Sequence, residues 1–111
     1  MTDKILRLAK AEPGGFTVRL PELERVKSGI VSAYKETQNC FGRIGLEKAI
    51  EHSMQHEKVL GGWFNSEDGK YYFDSCKVFT DMNEAIKFGK DHEQIAVFDL
   101  TNLRVIELST F

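Results

Sequence analysis

His52 and His56 lie four residues apart, so on a helix both rings leave the same face, a spacing that suits a shared metal ion. The run His52-Ser53-Met54-Gln55-His56 lacks the glutamate of a zinc-hydrolase motif, and His92, the third histidine, falls in a different element. On a helical wheel the pair flanks an apolar stripe, so boundary histidines are the simpler reading, and no metal site is assigned. Cys40 sits in a loop just before a helix, where the helix dipole could lower a thiol pKa, but no base accompanies it. Cys76 alternates with Lys77 in a strand and is expected in the core. No pairing of the two thiols is expected.

Two acids stand out by position. Asp74 follows Tyr71-Tyr72-Phe73 inside a strand, where an acid is less common than at a turn. Structural and functional roles are evenly balanced for it. Asp99 ends an apolar run, and a structural role accepting turn amides is favoured. Gly61-Gly62-Trp63 places two glycines inside a strand pattern, which signals a bulge or a close backbone approach. Trp63 beside them reads as a pocket wall or, more simply, as a core anchor. No phosphate loop, dinucleotide fingerprint or nucleophile elbow occurs. No catalytic residue and no cofactor are assigned. If the protein binds anything small, the candidate residues are Gln38, Trp63, Asp74 and Gln94.

These groups need elements to position them. Residues 5–11 suit either a short helix or an edge strand, and Pro13-Gly14-Gly15 ends it. Phe16 to Leu20 alternates as a half-buried strand, and residues 21–28 read as turn. Gly29 to Thr37 is a second strand, followed by a loop. A helix is expected over about 45–57, with Leu46, Ala49, Ile50, Ser53 and Met54 on its inner face. Val59 to Phe64 and Lys70 to Phe79 form a hairpin around Asn65-Ser66-Glu67-Asp68-Gly69. A second helix follows Thr80-Asp81, with Asp81 and Glu84 spaced as a capping box and Met82, Ala85, Ile86 and Gly89 as its inner stripe. Gln94 to Leu100 reads as a buried central strand, and Leu103 to Leu108 returns beside it. Strands thus come in hairpins rather than parallel crossovers. The expected fold is α+β: an antiparallel or mixed sheet with two helices packed on one face, in a single domain over 1–111.

Composition excludes some partners. The 111 residues carry a formal net charge of -2, so no basic field gathers nucleic acid or anionic lipid. Residues 1–60 hold ten basic and eight acidic groups and residues 61–111 five and nine, a mild asymmetry. No apolar run is long enough to span a membrane, no secretory signal opens the chain, and the two cysteines suit a reducing compartment. A cytoplasmic protein is expected. Its partner is an unidentified protein or small ligand, and homo-oligomers stay open.

Thr37-Gln38, Gly61-Gly62-Trp63, Tyr71-Tyr72-Phe73-Asp74 and Gln94-Ile95-Ala96-Val97-Phe98-Asp99-Leu100 together resemble small domains of unassigned function encoded by phages, prophages and other bacterial mobile elements. The resemblance implies a bacterial or phage setting and brings no catalytic residues. The leading expectation is a non-enzymatic accessory or interaction module. A small divergent transferase of ADP-ribosyltransferase type, or an inhibitor of a bacterial defence enzyme, are the alternatives. An enzyme is disfavoured.

Overall fold

The hairpin of β4 (Val59–Asn65) and β5 (Lys70–Phe79) is the centre of the fold, which a computed structural model describes for residues 1–111. The strands pair antiparallel from Val59 opposite Cys76 to Asn65 opposite Lys70. Its loop is closed by side chains of the right kind. Asn65 Oδ1 accepts from the Glu67 N–H and Asp68 Oδ1 from the Lys70 N–H, each at 2.9 Å, while Gly69 takes a φ of 72°.

Five strands extend the hairpin: β1 (Phe16–Arg19), β2 (Glu24–Arg25), β3 (Ile30–Ala33), β6 (Ala96–Asp99) and β7 (Arg104–Glu107). The order is β2-β1-β4-β5-β3-β6-β7, and every neighbouring pair is antiparallel. The protein is therefore of the α+β class, with a seven-stranded antiparallel sheet. Three helices accompany it: α1 (Thr2–Ala11), α2 (Gly42–Gln55) and α3 (Met82–Asp91). None is long and apolar enough to cross a membrane.

Alternation along β5 sorts the core. Phe73 joins Phe16, Val18 and Leu60 in a cluster with Ile5 and Ala9 of α1 and Leu46 and Ala49 of α2. Phe79 joins Ile30 and Val97 in a cluster with Ala85 and Ile86 of α3. Both positions are odd, so parity directs them to one side of the strand. Cys76 is even, and it packs with Val31 and Val59 in a third, small cluster that contains no helical residue. The odd side of β5 thus carries the helices' contacts.

Several sequence expectations are refined. The N-terminal segment is a helix. The turn-like stretch 21–28 contains the two-residue β2, held at the sheet edge by β1. The second strand stops at Ala33, and Lys35–Thr37 forms one 3₁₀ turn instead. Thr37 breaks the strand because its hydroxyl accepts from the Ser75 N–H at 3.0 Å, taking a ladder position. The helix expected from Gly45 starts at Gly42, and Met54 is exposed while Gly45 is buried. Gly45 has to be small: a Cβ there would lie 2.5 Å from the Cys40 carbonyl carbon. The Asp81–Glu84 capping box does not form, since Asp81 caps α3 without a side-chain hydrogen bond. Gly89 marks a close approach, with an added Cβ 2.7 Å from Leu108 Cδ1. β6 is not a fully buried strand. Val97 faces the core, whereas Phe98 is exposed and Ile95, before the strand, is 83% exposed.

Candidate functional site

The even side of the sheet is an open groove of about 1000 Å³. All seven strands contribute to its walls, from Arg25 of β2 to Val105 of β7, so the sheet curls around it. The pairing register lays out its floor in rows. Thr17, Gly61 and Asp74 stand side by side on β1, β4 and β5. Trp63 and Tyr72 form the next row. Val31, Phe98 and Val105 form a row toward the far edge. Gln94 and Ile95 close the groove from the loop before β6.

Asp74 is the only acid on this surface. Burial among apolar groups raises its carboxyl pKa to about 6, and the Trp63 indole N–H is the one group that acts in the opposite direction. Apart from that N–H, no donor of the chain supports its ionised form. Trp63 is 46% exposed and stacked on Tyr72, with ring centroids 5.1 Å apart and an 18° interplanar angle. It is therefore a groove wall rather than a core anchor. Gln94 donates one N–H of its Nε2 to the His92 carbonyl at 3.0 Å, leaving the other N–H and Oε1 free.

The two adjacent glycines have opposite tasks. Gly62 is on the helical side, where an added Cβ would lie 2.5 Å from Phe16 Cε1 and 2.9 Å from Tyr71 Cε1. Gly61 is on the groove side. Its missing side chain keeps the floor open beside Asp74, and an added Cβ would meet Cys76 Sγ at 3.2 Å.

Three of the four candidate residues, Trp63, Asp74 and Gln94, thus line one groove. Gln38 does not join them. The chain leaves β3 at Tyr34 toward α2, and Gln38 ends the 3₁₀ turn as an exposed residue. Asp99 caps the β6–β7 turn, accepting from the Asn102 N–H at 3.1 Å and Asn102 Nδ2 at 2.8 Å; these bonds hold its carboxyl below the usual range.

A second constellation brings all three histidines around Tyr34. His52, His56 and His92 place their ring centroids 4.8, 5.0 and 5.2 Å from it. His52 and His56 stack on each other at 3.8 Å instead of converging on a point, and no three histidine, cysteine or acidic side chains are placed to hold one metal ion. His52 Nδ1 lies 2.7 Å from Ser75 Oγ, and its Nε2 lies 3.4 Å from Glu36 Oε1. This has the connectivity of a serine nucleophile, an imidazole and a carboxylate. Ser75, however, has no exposed surface, so no acyl group can reach its oxygen. The contacts serve to satisfy polar groups beneath α2. Burial, then the neighbouring His56, lowers the His52 pKa, which favours the neutral ring.

No protein-family model, curated protein or solved structure matches this chain.

The thiols are free, and both are buried. Burial pushes the Cys40 thiol up, overriding the lowering that its position before α2 suggested, and pushes Cys76 up much further. Neither is a ready thiolate at neutral pH. The histidine gathering was missed because its members come from three elements 18 to 58 residues apart, from Tyr34 to His92. The 3.6-residue period links only His52 and His56.

Proposed function

We propose that this protein is a non-enzymatic binding module whose open sheet face is the binding surface. The observation that carries the reading is the placement of Asp74. An acid desolvated to a pKa of about 6 in an apolar groove, beside a half-exposed tryptophan, works against folding and suits a ligand. Exposed apolar side chains continue the surface past the floor, among them Ile95 and Leu103. The buried state of Ser75, Cys40 and Cys76 supports a binding role over a transferase or hydrolase. The likeness to mobile-element domains supports a bacterial or phage setting for this binding.

Another cavity, of about 790 Å³, lies between α1 and the β4–β5 hairpin. Its charged members Asp3, Arg7, Lys10 and Lys70 are all exposed, and the Tyr71 hydroxyl is spent on the Glu12 carbonyl, so it offers no free buried group to orient a ligand. The test is amide NMR mapping of ¹⁵N-labelled protein with a fragment set of neutral, cationic and anionic aromatic compounds. Shifts are expected to cluster at Thr17, Gly61, Trp63, Asp74 and Phe98. Clustering at Leu6, Arg7 and Phe64, or around Tyr34, would move the function elsewhere.

A further inference from the structure

We infer that the groove docks a partner polypeptide that inserts an arginine side chain across Trp63 to Asp74. The inference rests on the binding-module reading and names its partner. Four observations converge on it.

The first is the sign of the hydrogen-bonding groups. The carboxylate of Asp74 only accepts when ionised, and Gln94 keeps its Oε1 acceptor beside the one N–H that its bond to the His92 carbonyl leaves. The buried acceptor at Asp74 therefore asks for a ligand rich in N–H donors. A guanidinium supplies five in a planar fork and keeps its charge at every relevant pH. The second is charge. Asp74 is the one acid of the groove, and the two bases that line it, Arg25 and Lys27, are exposed residues beside the β1–β2 edge. Arg25 is already engaged by Glu12, so it does not serve Asp74 as a partner.

The third is the aromatic platform. Trp63 is braced by its stack on Tyr72 and half exposed, and guanidinium groups stack on indole faces. The Gly61 gap lies directly opposite Asp74 and leaves room for a side chain to reach the carboxylate. The fourth is extent. The apolar surface continues through Phe98, Leu103 and Val105, more than one small cation needs, which points to a chain that carries apolar residues beside its arginine.

Trp63 is the only tryptophan, so its fluorescence reports this site alone. The probes are acetylated, amidated hexapeptides with a central arginine flanked by leucine and phenylalanine in varied order. Their citrulline counterparts, which are neutral and nearly isosteric, and free ethylguanidinium complete the set. At pH 7.5 at least some arginine peptides should titrate Trp63 saturably and bind at least tenfold more tightly than their citrulline forms. Asp74→Asn should erase that preference while the protein still melts cooperatively. Free ethylguanidinium should bind far more weakly than the peptides. Equal binding of arginine and citrulline peptides, or a preference that survives in Asp74→Asn, would overturn the arginine assignment while leaving a binding groove. Ethylguanidinium binding as well as the peptides would overturn the polypeptide partner. If no peptide perturbs Trp63 while neutral fragments still map to the groove by NMR, the inference fails and the binding module stands. If nothing maps there, both fail.

Discussion

Two sides of one sheet are built from the same strands and do different work. The odd side of β5 meets the helices, with Phe73 and Phe79 buried among residues of α1, α2 and α3. The even side presents Asp74 and Cys76 to a groove that no helix covers, with Tyr72 stacked on its Trp63 wall. A strand serving only stability would put apolar residues at all even positions, or polar ones if water covered them. This strand does neither: it places a single desolvated acid on an apolar floor. The contrast separates residues that hold the fold from residues the fold holds out to something else.

Substitutions on the two sides should therefore diverge. The largest loss belongs to the helical side. Phe73→Ala removes a buried ring and should destabilise by about 3–5 kcal/mol, read by urea unfolding; a loss below about 1 kcal/mol would deny that side its role. Next comes Gly62→Ala, whose methyl has no room against Phe16 and Tyr71 and should cost about 1–3 kcal/mol through overpacking. The same change one residue earlier sharpens the comparison. Gly61→Ala faces the groove, meets the Cys76 sulfur at 3.2 Å and the Phe16 carbonyl only at ordinary contact distance, and should stay within about 1 kcal/mol of the parent. Equal losses at both glycines would mean that the groove floor is as tightly packed as the core. The smallest effect on folding should come from Trp63→Phe, within about 0.5–1 kcal/mol, because the ring is half exposed. The same variant loses the indole N–H, so the Asp74 carboxyl should titrate higher by NMR.

Much of the sheet was readable from the chain because its signals are local. The β5 limits and the Asn65–Gly69 loop follow from aromatic alternation and turn residues that act within five positions. The ends of β3 and β6 were not readable, since distant partners decide them. Thr37 is drawn out of the strand pattern by the Ser75 amide, 38 residues away. Ile95 reads as core by composition, yet it precedes the strand and points outward, because the neighbouring Leu108 amide takes the Ile95 carbonyl and leaves the side chain on the rim. Asp74 was noticeable as an acid in an aromatic strand. That it shares a surface with Trp63 and Gln94 depends on strand order, which no local pattern encodes. Gln38 stood out as a polar group after a strand, but the 3₁₀ turn carries it away from the groove.

The central claim is that Asp74 is held at a cost to folding. Its folded pKa of about 6 lies above the ordinary 3.8, so between these values the folded protein binds more protons than the unfolded chain. Stability must then fall as pH rises from about 4 to about 6, by up to about 3 kcal/mol from this group, and the penalty is complete above that range. The direct measurement is urea unfolding of the parent and Asp74→Asn at intervals from pH 4 to pH 8. The account predicts that the variant gains relative to the parent as pH rises and is the more stable of the two at pH 7. A variant less stable at pH 7, or a difference that does not change with pH, would show that Asp74 helps to hold the fold and would contradict it.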